Sequence, residues 1–371
     1  MNTRSAKAAH PVVAGLVAII LVAPLTGHGQ VRVNPELRRT DPNLVPVWSI
    51  EHLNGTIYRA MSNNAGTVFM VTDDGIVLAD PINPEFAAWL KEEFARRFAV
   101  PVRYVIYSHY HWDHASGGGV FADTAHFVSH VNTLKYLEMP PDSTTLDDVV
   151  GQYEPVAALD ANGDGVVQLS ETPVDMQRFP GSRLNIFYGF DANRDDVLTG
   201  AEIRRTPISF VHPPDITFTD EIELSLGGHR VHMSWLGEMN HTNDSSLITF
   251  PDDDVMLAVD YVSFRFPNRE MDYELGGYEQ WMAAIRRTEE LAKDYAHVAT
   301  GHGRAGTSVD VTLWRQYLED LQSAVEAGIA AGLTLEGMQE SITMEEYRDV
   351  GWDRYDWVDE NVEGMYHFLI D

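Results

Sequence analysis

The sequence has 371 residues, of which 44% are hydrophobic and 22% charged, which is ordinary for a folded globular protein and excludes a disordered chain. Its formal net charge of -30 argues against binding to nucleic acid, because the phosphates would be repelled. The absence of cysteine excludes disulfide bonds, thiolate metal ligands and a lipid-anchored amino terminus.

Residues 1–29 have the layout of a secretory signal peptide. Arg4 and Lys7 precede the apolar segment 12–23, which is followed by Pro24 and small residues. The alternative is a membrane anchor, but about twelve apolar residues are fewer than the ~20 that a spanning helix needs. We therefore expect cleavage of this segment and export to the periplasm or the exterior, with no stable membrane insertion afterwards.

The first half of the chain predicts hairpins, a helix and a further strand. Strand-like runs separated by turn residues occupy residues 56–60, 67–71 and 76–79. Segment 84–98 predicts an amphipathic helix, because its large apolar residues recur every four positions. Segment 102–107 predicts a strand that leads directly into a histidine cluster.

The second half repeats this order of strands followed by a helix. Its strand-like runs occupy residues 221–226, 229–235, 246–250, 255–259 and 297–300. A helical pattern covers 278–291, and residues 310–371 predict a helical C-terminal extension. The arrangement indicates an α+β fold, an αββα sandwich formed by residues 30–139 and 216–309. Segment 140–215, rich in Asp, Gly, Pro and Asn, predicts an insert.

Segment 108–119 reads SHYHWDHASGGG and places three histidines and one aspartate within residues 109–114. On an extended backbone His109 and His111 point the same way, and Asp113 keeps that period. A loop at a strand end could thus offer His109 and His111 to one metal, and Asp113 and His114 to another. A lone histidine there would be an ordinary loop residue, whereas this cluster is typical of a zinc site.

The motif HxHxDH resembles the signature of the metallo-β-lactamase superfamily. The resemblance implies a four-layer αββα sandwich in which later loops supply a histidine, a bridging aspartate and a last histidine. The matching positions are His241, Asp260 and His302, each just past a predicted strand. His297 is the nearest rival to His302, but it begins its strand, whereas His302 follows the strand between two glycines that allow a close backbone approach.

The resemblance also implies how the ligands are shared between two metals. One metal would be held by His109, His111 and His241, the other by Asp113, His114 and His302, and Asp260 would bridge them. Asp80 resembles an early aspartate of the family that supports the metal-binding loop without contacting the metal. Asp113 is the candidate catalytic residue, because it could orient the attacking nucleophile as well as act as a ligand.

These residues predict an exported, binuclear zinc-dependent hydrolase acting on a small molecule. Two divalent ions ~3.5–4 Å apart can hold a hydroxide between them and lower the pKa of water from ~15.7 toward ~7. The hydroxide would attack an ester, amide, lactone or related bond. The alternatives are an iron-dependent redox relative of the same fold and a calcium-dependent binding or scaffold protein with a vestigial site. Neither the substrate nor the oligomeric state follows from the sequence.

Two segments of the insert match the calcium loop of EF-hands. The ligand positions of the first are Asp160, Asn162, Asp164, the Val166 carbonyl, Gln168 and Glu171. Those of the second are Asp191, Asn193, Asp195, the Val197 carbonyl, Thr199 and Glu202. Apolar Val167 and Leu198, at the eighth position of each loop, predict a short β-pairing. Asp196 replaces the glycine expected at the sixth position, so one or two Ca²⁺ ions are expected, the second bound more weakly.

Overall fold

The computed structural model describes residues 47–149, 153–172, 195–239, 241–267 and 277–370, together with positions 187, 190, 191 and 193. The predicted signal peptide, residues 1–29, lies outside the described residues. Within the described part of the chain, no helix combines the length and the apolar character needed to cross a membrane.

The described residues form the following strands and helices. Strands β1–β14 are, in chain order, Trp48–Asn54, Ile57–Ser62, Ala65–Thr72, Gly75–Ala79, Val102–Ile106, His126–His130, Val167–Gln168, Val197–Leu198, Ile216–Phe218, Glu221–Leu226, His229–Trp235, Ser246–Phe250, Val255–Ala258 and His297–Thr300. Helices α1–α9 are Pro84–Arg97, Trp112–Ala115, Thr133–Tyr136, Glu154–Ala157, Gly200–Ser209, Tyr278–Ala292, Ser308–Ala330, Leu335–Ser341 and Val358–Ile370. The predicted strands and the two long predicted helices, α1 and α6, are present.

The strands form two large sheets. The first has the order β1-β2-β3-β4-β5-β6-β9, and the second has the order β10-β11-β12-β13-β14. The first strands of each sheet are antiparallel, and tight hairpins join all of these pairs except β11 and β12. Strands β4, β5, β6 and β9 are parallel to their neighbours in that series, as are β13 and β14. Parallel neighbours need a crossover, which α1 provides between β4 and β5 and α6 provides between β13 and β14.

Alternation along the strands builds a layered core. In β3, Val68 and Met70 face the second sheet, while Phe69 faces outward. In β13, Val255 and Leu257 face the first sheet, while Met256 faces outward. Because successive side chains of a strand point to opposite faces, each buried strand contributes to two apolar layers.

Helices cover the outer face of each sheet. Helix α1 places Phe86, Leu90 and Phe94 against the first sheet. The second sheet is covered by α6 and by the C-terminal extension (residues 310–371), which contribute Trp281 and Trp314 to one buried cluster. The result is the four-layer αββα sandwich that the sequence predicted, with helices following it.

The described part of the insert has its own small core. Strands β7 and β8 pair antiparallel, with Val167 opposite Leu198, which confirms the predicted pairing of the two loops. Both residues are buried in an apolar cluster with Tyr153, Phe190 and Ile203 among its members. The sixth position of each loop has positive φ, +87° at Gly165 and +62° at Asp196. The aspartate thus adopts the conformation for which glycine is usually selected.

Candidate metal centre

The histidine loop (residues 107–115) follows the C-terminal end of β5, a central parallel strand. His111 has a non-helical backbone, with φ -53° and ψ 133°, and is the N-cap residue of the short helix α2, which begins at Trp112. The amides of His114 and Ala115 donate to the His111 carbonyl at 3.0 and 2.9 Å. The expectation that Asp113 keeps the extended period is therefore wrong, because the chain has already turned into a helix at that position.

The other three predicted ligands also lie beyond strand ends. His241 lies in the loop after β11, Asp260 follows β13, and His302 follows β14. Asp80 follows β4 in the same way, and both aspartates have positive φ, +51° for Asp80 and +66° for Asp260. Such conformations in non-glycine residues occur disproportionately where function requires a particular geometry.

All seven predicted ligands converge into two groups that share Asp260. The first group contains His109, His111, His241 and Asp260, and the second contains Asp113, His114, Asp260 and His302. Within each group the potential ligand atoms lie within 4.8 Å of one another. The residues predicted as ligands, which lie in distant segments of the sequence, therefore form one cluster.

Asp260 lies between the two groups, and its carboxylate approaches members of both. Its Oδ2 lies 2.8 Å from His114 Nε2 and 3.7 Å from His241 Nε2. Its Oδ1 lies 3.6 Å from His302 Nε2, and His302 Nε2 is in turn 3.5 Å from Asp113 Oδ2. A carboxylate that approaches histidines of both groups has the position that a bridging ligand requires.

The donor set fits a pair of divalent cations. His109 Nε2 and His241 Nε2 approach to 3.1 Å, a distance at which two ring nitrogens need a proton or a cation between them. Asp260 Oδ1 is buried and has no hydrogen-bond partner among the described residues. A buried unsatisfied oxygen is costly unless an ion or water completes it. Imidazole and carboxylate ligands without sulfur match zinc and related transition metals.

The protonation states of His109 and Asp260 favour metal binding. Burial holds the pKa of His109 well below its usual value, and the neighbouring His111 adds to that effect. Burial would raise the pKa of Asp260, but His114 and His302 outweigh it and hold that pKa well below the usual range. Burial would lower the pKa of His114, yet Asp260 and Asp113 raise it well above normal. A bound cation would therefore replace a proton at His114.

Asp80 supports the start of the histidine loop. The Ser108 amide donates to Asp80 Oδ1 at 2.8 Å, and the Ser108 hydroxyl lies 2.9 Å from His109 Nδ1. Asp80 is completely buried, and burial raises its pKa to about 6 although His114 acts in the opposite direction. A partner on Nδ1 orients the ring so that Nε2 faces the cluster.

A family model described as "Metallo-beta-lactamase superfamily" matches residues 64–302. The chain belongs to the metallo-β-lactamase superfamily. No curated protein matches the chain in sequence.

Solved structures are similar to this chain at low sequence identity. The stereoselective inverting sec-alkylsulfatase Pisa1 from Pseudomonas sp. is 14% identical with a TM-score of 0.56, over 87% of this chain and 50% of that chain. The metallo-beta-lactamase from Pontibacter korlensis is 14% identical with a TM-score of 0.46, over 72% of this chain and 96% of that chain. This chain thus spans half the length of the alkylsulfatase, and at 14% identity the likeness to that enzyme shows the fold alone.

Arg59 braces the His302 turn and was not predicted from the sequence. Its Nη2 donates to the Gly303 carbonyl at 2.6 Å, although the side chain is only 3% exposed. The Gly66 amide donates to Gly301 at 2.7 Å, and a Cβ on Gly301 would lie 2.9 Å from His114 Cε1. The expected close approach of a glycine beside His302 is therefore present. One feature of the sequence could have indicated that Arg59 is buried, because it lies on the same face of its strand as Ile57, and that face is otherwise apolar.

Trp112 joins the histidine loop to the insert. It lies between two predicted ligands in the sequence, and its partly buried ring packs against the apolar cluster that contains Val167 and Leu198. Tyr110, on the same loop as Trp112, stacks on Tyr136 of α3, with ring centroids 4.0 Å apart. The superfamily motif is thus held from outside by side chains at its variable positions.

We expect Arg59→Met to weaken binding of the metal at the Asp113, His114 and His302 group by about 10–100-fold, the usual effect of losing a supporting contact. The substitution keeps the aliphatic stem but removes the donor to Gly303. Competition against a fluorescent chelator measures the affinity. Arg96→Met is the control, because Arg96 is exposed on α1 and pairs with Glu93. Unchanged affinity in a folded Arg59→Met protein would contradict the assigned role.

We expect Trp112→Ala to lower the free energy of unfolding by about 2 kcal/mol, because truncating a fully buried tryptophan costs ~3–5 kcal/mol and Trp112 is only partly buried. We also expect the variant to retain less metal during dialysis. Trp112→Phe should lose less of both. Trp89→Ala is the matched control, since Trp89 is also partly buried but packs on Trp48 and Phe86 far along the chain from the motif. That variant should lose stability and keep its metal. Equal metal retention in all three would refute the link.

Proposed function

We propose that this chain is an exported, zinc-dependent hydrolase with two metal ions in one centre. The observation that carries the proposal is the convergence of seven side chains into two groups that share Asp260. Membership of the superfamily supports metal-dependent hydrolysis as the general reaction. Zinc is proposed because the ligands are imidazoles and carboxylates alone. Export is proposed from the pattern of residues 1–29.

The side chains of the centre have different tasks in this proposal. His109, His111 and His241 would hold one ion, Asp113, His114 and His302 the other, and Asp260 both. When bound, the two ions supply Lewis acidity and a nucleophile at neutral pH, because zinc lowers the pKa of water from ~15.7 toward ~7. The other contributions come from the chain itself.

Asp113 is the proposed catalytic residue among the ligands. Its side chain is 37% exposed, compared with 12% for Asp260 and 18% for His302, so it is the carboxylate that water and substrate reach. Burial would raise its pKa, but His114 lowers it well below the usual range, so the carboxylate stays ionised. An ionised carboxylate accepts hydrogen bonds only, and Asp113 would therefore orient the attacking water by accepting a hydrogen bond from it.

The proposed substrate is a small molecule with an ester, amide, lactone or related bond. The fold is compatible with several such reactions and does not choose among them. Because one structural relative is an alkylsulfatase, sulfate esters belong in the same screen as carboxylic esters, lactones, β-lactams and thioesters.

The calcium loops of the insert are proposed as structural sites. In the first loop Asp160 Oδ1 accepts from the Gly163 amide at 2.8 Å, and Glu171 Oε2 accepts from the Gln168 amide at 2.8 Å. In the second, Asn193 Oδ1 accepts from the Asp195 amide at 2.9 Å. These contacts gather the side chains that the EF-hand pattern assigns to calcium. Bracing of the insert core is the proposed role.

The proposed reaction predicts about two zinc ions per chain and hydrolysis of at least one substrate of the screen. Removal of metal with a chelator should abolish turnover, and added zinc should restore it. His111→Ala should lower kcat/KM by about 100-fold or more, since 100-fold is only ~2.7 kcal/mol and metal catalysis supplies several. His126→Ala is the control, because His126 is exposed and pairs with Asp215. Full turnover by metal-free protein would contradict the proposal, and bound iron with oxygen uptake would favour the redox alternative.

The calcium proposal predicts that calcium raises the melting temperature, because a ligand at 100 times its Kd stabilises the folded state by about 2.7 kcal/mol. Glu171→Gln should reduce that gain more than Glu202→Gln, since the first loop has glycine at the sixth position. Glu92→Gln on α1, which lies outside both loops, should leave it unchanged. An identical melting temperature with calcium and with chelator would rule the sites out.

A further inference from the structure

Helix α3, Thr133–Tyr136, contacts both loops that carry the predicted ligands His109, His111 and His241. It follows β6, which lies next to β5 in the first sheet, and β5 leads into the histidine loop. The other loop joins β11 to β12 and is called the His241 loop below. A four-residue helix is too short to be stable through its own backbone bonds. Contacts with other segments therefore hold it, and several of these are made with the two ligand loops.

The Tyr136 side chain contacts each loop with a different part. Its ring stacks on Tyr110 of the histidine loop, with ring centroids 4.0 Å apart and planes inclined by only 2°. Its hydroxyl oxygen accepts a hydrogen bond at 3.1 Å from the amide of Asn243, which lies shortly after His241 in the sequence. One side chain thus connects the two segments that carry the three histidines of the first group.

The backbone of Asn243 is held by side chains on both sides. Its carbonyl accepts hydrogen bonds from Asn132 Nδ2 at 2.8 Å and from Trp235 Nε1 at 3.0 Å, while its amide donates to Tyr136. Asn243 lies between two strands, so side chains satisfy the backbone groups that strand pairing satisfies elsewhere. The His241 loop is therefore fixed by side chains of neighbouring elements.

A buried series of polar groups forms a second link between α3 and the His241 loop. Thr133 Oγ1 donates to Asp244 Oδ2 at 2.7 Å, and Ser129 Oγ lies 2.6 Å from Thr133 Oγ1. All three residues are completely buried. A buried hydrogen bond is costly to break, because the remaining group is left without a partner. The position of Asp244 is therefore coupled to that of α3.

We propose that Tyr136 is a positioning residue that fixes the histidine loop and the His241 loop relative to each other. The inference rests on the proposed function, since it requires a metal ion in the first group. His109 Nε2 and His241 Nε2 lie 3.1 Å apart across the two loops, so a small shift of either loop changes the space available to a cation. Contacts that orient ligands in this way contribute to metal affinity without touching the metal.

The alternative is that α3 contributes only packing. A packing role predicts a lower melting temperature in Tyr136→Phe and Tyr136→Leu with an unchanged ratio of the two zinc affinities. A positioning role predicts a selective loss at one zinc ion, because the loops that Tyr136 connects carry the first group. The two roles therefore differ in a ratio that a general loss of stability does not change.

The test measures the two zinc affinities of the full chain by stepwise competition with a fluorescent chelator. We expect Tyr136→Phe, which keeps the ring and loses the hydroxyl, to weaken one zinc ion about tenfold. Tyr136→Leu loses both contacts and should weaken the same ion further, and the other ion should keep its affinity. Tyr58→Phe is the control, since Tyr58 is also partly buried and stacks on a ring, 5.4 Å from Phe69 on the outer face of the first sheet.

Arg59→Met identifies which ion is affected, because Arg59 donates to Gly303 beside His302 in the second group. The double variant Tyr136→Phe/Arg59→Met should bind both ions more weakly, each by the amount seen in the single variants. Weakening of one and the same ion by both substitutions would overturn the inference.

Thr133→Val provides a further comparison if Tyr136→Leu does not fold, because it removes the bond to Asp244 and keeps the size of the side chain. We expect it to weaken the same ion as Tyr136→Phe. Wild-type zinc affinities in folded Tyr136→Phe and Thr133→Val proteins, with two ions bound, would overturn the inference and leave the proposed function standing. Failure of the wild type to bind zinc at all would overturn both.

Discussion

The carboxylate of Asp260 supplies the negative charge among several buried imidazoles that lie close to one another. His109 and His241 approach it from one side, and His114 and His302 from the other. Taking several ionisable groups out of water is expensive unless opposite charges and hydrogen bonds accompany them. The opposing pKa shifts of Asp260 and His114 show this mutual dependence. Such a donor set is suited to binding cations, which would replace the proton at His114.

The sandwich makes this concentration of polar groups possible by placing them all at one edge. Strands β4, β5, β13 and β14 run so that the residues following them meet there, although they belong to two different sheets. Each loop is then fixed by backbone contacts. The Ser246 amide donates to the Ser108 carbonyl at 2.9 Å, and the Gly303 amide donates to Asn64 at 2.9 Å. The apolar core between the layers stabilises the fold away from this edge. The edge can therefore hold residues that do not stabilise the fold.

The layers were predictable from local alternation, and the members of the cluster from the resemblance of HxHxDH to a superfamily signature, which implied His241, Asp260 and His302. Alternation identifies strands, and HxHxDH is a short motif whose later partners lie just after recognisable strands. Strands β1 and β9 were not predicted, since β1 is mostly exposed and β9 spans only Ile216–Phe218. The helical turn at Trp112 was also missed, because four residues are too few for a periodic signal.

Contacts between distant segments were beyond sequence reasoning. Nothing near Arg59 in the sequence indicates that it reaches the Gly303 carbonyl, and nothing near Tyr136 points to Asn243. These pairs depend on how separate elements pack, which a single sequence without aligned relatives does not reveal. The ligands were accessible from the sequence because their chemistry is distinctive, whereas the supporting residues are ordinary amino acids in unusual places.

The two additions to the sandwich contact different parts of the same edge. The small core of the insert packs on Trp112. The C-terminal extension contacts the segment that follows Asp260, where the Phe266 amide donates to the Asp353 carbonyl at 3.1 Å. Because the ligand set is common to enzymes with many substrates, selection among substrates must come from residues outside it. The net charge of -30 would repel anions at long range, but salt screens exposed charges over ~8 Å at physiological ionic strength. The net charge therefore does not by itself exclude an anionic substrate.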